Sequence, residues 1–203
     1  MPRIAKFDRE KALDNAVSLF WERGYGGASM KQIEQALDMR PGSLYATFGS
    51  KDGLFREALD VYAGRMARSM AEALDDAPTT MDGIFRYLRS VAMQITAPDS
   101  PARACLVVKT LLEVTGDQPE LRTLVNQRLQ AVEDHLADLL AQAHARGELA
   151  PDVDSRRLAR LVQSQIMGLR SLAQRDIDSD SIKALTEDII TALHAFTRRP
   201  VSH

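Results

Sequence analysis

An apolar residue recurs every three or four positions along almost the whole sequence, and this period limits most strongly what the chain can fold into. Leu13, Ala16, Val17 and Phe20 fall at i, i+3, i+4 and i+7, the stripe of a half-buried helix. Asp8 is a good N-cap before that stripe and Gly24 a good stop after it. Ser29, with Gln32 three positions on, makes a capping box, and Met30, Ile33 and Leu37 give the short helix behind it. Pro41 suits a first helical turn, and Leu44 and Phe48 stand four apart in a third helix. Ser50 then caps a long fourth helix carrying Leu54, Phe55, Ala58, Leu59 and Tyr62. After the turn cluster Asp75 to Thr80, the spacing predicts helices near 80–96, 101–115, 118–146, 154–174 and 180–197. Pro98 and Pro101, Gly116 to Pro119, Gly147 to Pro151, and Asp176 to Asp180 separate them. No stretch alternates apolar and polar residues long enough for a strand. The expected fold is all-α, with about nine helices: a three-helix head in residues 1–50, a connecting helix from 51, and a larger helical part in 51–203.

Charge and composition exclude several classes. With 26 Lys+Arg against 28 Asp+Glu the net charge is -2, so the chain is no histone-like polycation. Any contact with nucleic acid must come from a local arrangement. Residues 1–65 carry a net +1 and the rest -3, with Arg3, Lys6, Arg9 and Lys11 crowded at the start. A hydrophobic share of 45% is that of a globular protein. Apolar runs such as Ala104 to Val108 fall far short of the ~20 residues a membrane span needs. No signal-peptide core follows the first basic residues, so the cytoplasm is the expected location. Cys105 is the single cysteine, which excludes an internal disulfide and a cysteine zinc site.

The informative segment is residues 29 to 51. Two short helices joined by a tight turn at Asp38 and Met39 make a helix-turn-helix, whose second helix can enter a DNA major groove. Leu44 and Phe48 would anchor that helix, leaving Arg40, Ser43 and Thr47 on the opposite face, with Tyr45 and Ala46 beside them. Lys51 falls in the first turn of the fourth helix, where the helix dipole opposes a cation but favours a phosphate. A positive charge there makes sense if an anion comes to meet it.

On these residues the sequence resembles the TetR-type bacterial transcriptional repressors. The matching pieces are Phe20-Trp21-Glu22-Arg23-Gly24-Tyr25, Ser29-Met30-Lys31-Gln32-Ile33, and the stretch from Gly42 to Phe55 with its Leu44-Tyr45-x-x-Phe48-x-x-Lys51 pattern. Asp38 stands where glycine is common, and Arg40 replaces the usual small cap of the recognition helix. Asp tolerates a left-handed backbone, so the turn should survive. The resemblance implies a homodimer that places two recognition helices in successive major grooves of double-stranded operator DNA. It also implies an unidentified small-molecule effector in the larger part that releases the DNA. By similarity Tyr45 and Lys51 hold phosphates, Ser29 contacts backbone near the second helix, and Ser43 and Thr47 lie nearest base edges. Arg40 is expected to add a phosphate or guanine contact.

The remaining candidates are weaker. For an effector cavity among the fifth to eighth helices we name Phe85, Met93, Cys105, Val108, Leu112, Gln163 and Met167, with Lys109 and Arg170 as charges for an anionic ligand. The last two helices carry more apolar surface than one face needs: Leu158, Leu161, Val162, Gln165, Leu169, Ile182, Leu185, Ile189 and Leu193 are read as a dimer interface forming a four-helix bundle. Cys105 admits a second function, because relatives in the family sense oxidants or electrophiles through a cysteine in a similar Cys-Leu-Val setting. A helix start and nearby Arg103 would favour the thiolate. Against this, free cysteines commonly serve as small buried apolar residues. A third alternative is a helical protein-interaction module that no longer reads DNA. Trp21 reads as packing, and Gly24 to Gly27 as a helix stop rather than a phosphate loop. His135 and His144, nine apart on one helix, point to different faces and cannot share a metal. No catalytic grouping appears, so no enzyme, cofactor or metal is expected.

Overall fold

The computed structural model describes residues 4–98, 104–115 and 118–198, with side chains from residue 9 onward. Arg3, the Lys6 side chain, Pro101, Arg103, Gly116 and His203 therefore lie outside the described residues. Nine α-helices are found among those described: α1 (Ile4–Gly27), α2 (Met30–Leu37), α3 (Pro41–Phe48), α4 (Lys51–Leu74), α5 (Thr80–Thr96), α6 (Leu106–Glu113), α7 (Pro119–Ala145), α8 (Ser155–Leu172) and α9 (Ser179–Leu193). No helix among the described residues is long and apolar enough to cross a membrane.

Helix α1 starts at Ile4, so Asp8 lies inside it and is not its N-cap, and two further boundaries differ from the sequence expectation for physical reasons. Helix α6 starts at Leu106 rather than near 101: Cys105 is extended, and the Leu106 N–H donates to the Tyr62 hydroxyl at 3.4 Å. A tyrosine on α4 thus takes one of the first-turn donors that a helix leaves unpaired. Helix α9 stops at Leu193 and continues only as a 3-10 turn, His194–Phe196. Thr197 is drawn instead into an antiparallel bridge with Leu149, where Arg198 N–H donates to Glu148 O at 2.8 Å.

Packing divides the chain into two compact units, Met1–Met66 with Cys105–Val125, and Ala67–Ala104 with Asn126–His203. The packing boundary thus falls at residue 66 and returns at 105, within the part assigned to the larger domain from the sequence. In the first unit Phe20 and Phe55 meet edge to face at 4.9 Å, and Tyr25 meets Phe55 at 5.0 Å. Such aromatic pairs add to the gain from burial itself. Trp21 packs edge-on to Tyr62 at 5.4 Å. In the second unit α5 is the central helix, buried from Thr80 to Ile95 at ten positions, and it packs against α8 and α9. Arg89 forks onto Glu187 with two 2.7 Å bonds, but both groups are half exposed, so the pair adds little stability.

Helix α1 breaks at Gly24, whose φ of 77° and ψ of 170° suit glycine almost alone. Helix α6 packs against α1 at this break. Lys109 donates to the carbonyls of Glu22 at 2.8 Å and Trp21 at 3.4 Å, oxygens near the break. One turn on, the Glu113 carboxylate accepts from the Gly26 N–H at 3.5 Å and fills the space a Gly24 side chain would need. Gly24→Ala should therefore cost on the order of 1–3 kcal/mol of stability in urea unfolding. Gly26→Ala, whose new methyl group meets open space, should be neutral or slightly stabilising in the same measurement.

Candidate nucleic-acid interface

The helix-turn-helix is assembled by local rules. Ser29 and Gln32 form the expected reciprocal cap of α2. At its other end Asp38 takes a left-handed φ of 51°, and its N–H donates to Gln35 O at 3.3 Å. The aspartate thus does what glycine commonly does at such a turn. Arg40 follows as the extended N-cap of α3, with no side-chain capping bond, and Pro41 occupies the first turn. Along α3 only Leu44 and Phe48 are buried, at 0% and 6% exposure. Pro41, Gly42, Ser43, Tyr45, Ala46 and Thr47 are all exposed, Tyr45 at 49%. A helix anchored by two residues and otherwise bare offers nearly its whole circumference to a partner.

The polar groups are not all equally free. Thr47 Oγ1 donates back to Ser43 O at 2.8 Å, so its methyl group and remaining lone pairs face outward. The Ser29 hydroxyl donates to Gln32 Oε1 at 2.9 Å and accepts the Gln32 N–H, so it is engaged in the cap. Arg9 lies 5.4 Å over the Phe48 ring and pairs with Glu57. An open hollow of about 680 Å³ beside α3 is bordered by Arg9, Lys11 and Arg40 against the single acid Asp38. This is the local concentration of positive charge that the whole-chain balance hides.

Lys51 opens α4, with its ammonium 4.5 Å over the Tyr25 ring. Burial lowers its pKa below the ordinary lysine value, against Asp52 and Glu113, which work to raise it. Among the described residues Lys51 forms no salt bridge, and its neighbour Asp52 accepts the Tyr25 hydroxyl. Ser50 Oγ accepts the Gly53 N–H at 3.0 Å as the cap of α4. A side chain at Gly53 would overlap the Phe48 carbonyl, so glycine here lets α4 start hard against the end of α3. The Tyr25, Asp52 and Glu113 partnerships were not foreseen from the sequence.

The other expected site residues fall in two places. In the first unit, Cys105 is buried as the N-cap of α6 and Val108 is half-buried. Lys109 is committed to the α1 carbonyls rather than to a ligand, and Leu112 is 82% exposed, with no wall around it. In the second unit, Phe85 is a core residue whose ring is tilted by 55° against that of His194 at 4.5 Å, and Met93 is 63% exposed. Gln163 and Met167 are half-buried and Arg170 is buried. Of the expected interface, Leu158, Val162, Leu169, Ile182 and Leu193 are enclosed in the unit's own core, because α8 and α9 turn those faces to α5. Leu161, Gln165 and Leu185 are half-buried and Ile189 is 9% exposed. Leu161, Gln165 and Ile189 border an open hollow of about 240 Å³ with Asp188, Ala192, Leu193 and Phe196.

Comparison with known proteins agrees with this geometry. Residues 12–58 match the bacterial regulatory proteins of the tetR family, and residues 85–189 match the tetracyclin repressor-like C-terminal domain. The transcriptional repressor ComR of Escherichia coli K12 is 32% identical over 171 residues, covering 84% of this chain and 80% of ComR. A cysteine mutant of the TetR-family regulator CifR, solved on a 26-base-pair operator, superposes with a TM-score of 0.85 at 35% identity, covering 95% of this chain and 98% of that one. A TetR regulator from Chloroflexus aurantiacus superposes at 0.84 with 26% identity, covering 98% and 100%. The fold and the exposed second helix define a DNA-binding transcriptional regulator of the helix-turn-helix type. The chain belongs to the TetR family.

Tyr25 gives this region a measurable signature. Burial first, then the hydrogen bond and the charge of Asp52, push its hydroxyl up to about 12. Because the ordinary value is 10.0, the stabilisation is intact below pH 10 and is lost as pH rises from 10 through 12. In an ultraviolet titration Tyr25→Phe should remove one tyrosine step near pH 12, and Asp52→Asn should move that step back toward 10. Four tyrosines ionising together near pH 10 would contradict the assignment.

Proposed function

We propose that this regulator is a homodimeric repressor whose residues 1–50 read a near-palindromic operator. In this reading residues 51–203 dimerise and bind a small molecule that releases the DNA. The observation that carries it is α3, buried only at Leu44 and Phe48 and bare elsewhere, with Lys51 one turn beyond its end. Tyr45 and Lys51 hold phosphates, Ser43 and Thr47 meet base edges, and Arg40 adds a phosphate or guanine contact at the start of the helix. Ser29 acts by capping α2, whose start faces the backbone. The operator-bound CifR structure and the repressor name of ComR support the assignment. Release requires that the effector prefer one spacing of the two heads, since only differential affinity shifts such an equilibrium.

Selection of bound duplexes from a random pool at two salt concentrations tests DNA reading. A near-palindromic motif with steep salt dependence is expected. Lys51→Ala should weaken binding to all sequences alike and reduce the salt slope by about 1, whereas Ser43→Ala or Thr47→Ala should relax the preference at particular positions. No enriched motif at either salt would overturn the reading.

For the dimer, Leu161, Gln165, Leu185 and the hollow beside Phe196 form a half-apolar face on α8 and α9. At Gly168 on α8 an added side chain would meet open space within this chain, which leaves room for a second helix to approach closely. Sedimentation at low micromolar concentration should show a dimer, and Leu161→Glu should give a monomer with at least tenfold weaker operator binding. A wild-type monomer would sink the proposal.

A further inference from the structure

Arg170 is the most anomalous side chain in the second unit. It lies in the last turn of α8 at 2% exposure, and neither its Nε nor its Nη1 has a hydrogen-bond partner among the described residues. Its single bond runs from Nη2 to the Gln94 side-chain oxygen on α5, at 3.2 Å. Gln94 is itself exposed, and its amide nitrogen donates to Ser69 Oγ on α4 at 3.4 Å. Three helices of one unit therefore converge on a guanidinium that lies just beneath the surface, shielded by one neutral amide.

A structural arginine at such depth ordinarily satisfies its donors with carbonyls or a carboxylate. The C-terminal end of α8 offers only a partial negative charge. The whole positive charge and three N–H groups, one on Nε and two on Nη1, are left to be matched. A planar guanidinium is shaped for a carboxylate, which pairs two N–H groups along one edge. Along α8, Gln163, Met167 and Arg170 stand at i, i+4 and i+7 and so share one stripe, half-buried at the first two positions. Gln163 donates to Leu129 O on α7 at 2.9 Å, which ties the far end of that stripe. Met167, flexible and apolar, lies between the polar ends and suits the body of a small organic molecule.

We propose that Arg170, with Gln94, is the seat of a monoanionic effector, a small organic carboxylate whose apolar body lies along Met167. The carboxylate displaces the Gln94 oxygen and neutralises the buried charge, and one cation matches one negative charge. This inference rests on reading the chain as an effector-responsive regulator.

The test uses the full chain on the operator duplex selected above. Butanoate, octanoate, benzoate and phenylacetate are titrated in, each beside its primary amide, with thermal shift and operator release as readouts. Carboxylates should raise the melting temperature and release the duplex, and the amides should be at least tenfold weaker. Gln94→Glu places a carboxylate on the guanidinium within the chain. It should raise the melting temperature without ligand and weaken carboxylate binding at least tenfold. Arg170→Met, which removes the buried charge at similar volume, should also abolish the response. Carboxylates that do not stabilise the wild-type chain, amides that bind as well as acids, or an undiminished response in Gln94→Glu would overturn the proposal. Stabilisation through Arg170 with no operator release would keep the anion site and refute effector release. Release by amides alone would keep effector release and refute the anion site.

Discussion

The recognition helix α3 is eight residues long, and a helix of that length does not persist in water through its own hydrogen bonds. Starting it is unfavourable by about 4 kcal/mol, the free energy of a nucleation constant near 10⁻³. Burying Leu44 and Phe48 returns roughly 1.5–3 kcal/mol each, enough to offset nucleation only if both are enclosed. Pro41 and the left-handed turn at Asp38 lower the entropic part of that cost by fixing the chain as it enters the helix. Because two residues suffice as anchors, six of the eight positions are left for a partner. The economy of the head's core is thus what makes its outer surface available for reading DNA.

The same constraint governs the rest of the first unit. Arg9 of α1 lies over the Phe48 ring and Gly53 of α4 abuts the Phe48 carbonyl, and the Phe20, Phe55 and Tyr25 rings lock those two helices together. Lys109 and Glu113 then fasten α6 to the broken end of α1, one on its carbonyls and one on an N–H beyond the break. Movement of α6 cannot leave the end of α1 untouched without breaking those bonds. Near Lys51, Tyr25 and Glu113 come from different helices, so the surroundings of this lysine are built from the whole unit and not from the helix-turn-helix alone.

Much of this was legible in the sequence, and the misses share a cause. Helix α5 runs over the span its spacing predicts, and the Ser29–Gln32 cap, the turn at Asp38 and the start of α4 behind Ser50 fall where expected. Each depends on neighbours within four residues. The start of α6 was misplaced because its first donor is met by Tyr62, 44 positions earlier. The sequence around Lys109 gives no sign of the carbonyls 87 and 88 positions away that its ammonium meets. Leu158 and Leu169 looked like interface because an apolar face reads the same whether it covers its own core or a second copy.

The sequence by itself determined the number and order of the helices, the caps at Ser29 and Ser50, and a head whose second helix is anchored at Leu44 and Phe48. Those follow from periodicity and capping chemistry, which act over one or two turns of chain. Tertiary structure alone decided which of the many apolar and charged residues are enclosed. It placed Glu113 at Gly24, turned Leu112 and Met93 outward, and set Arg170 beneath Gln94 with donors unpaired. Burial and pairing depend on what arrives from distant parts of the chain, and a side chain's own neighbours in sequence do not carry that information.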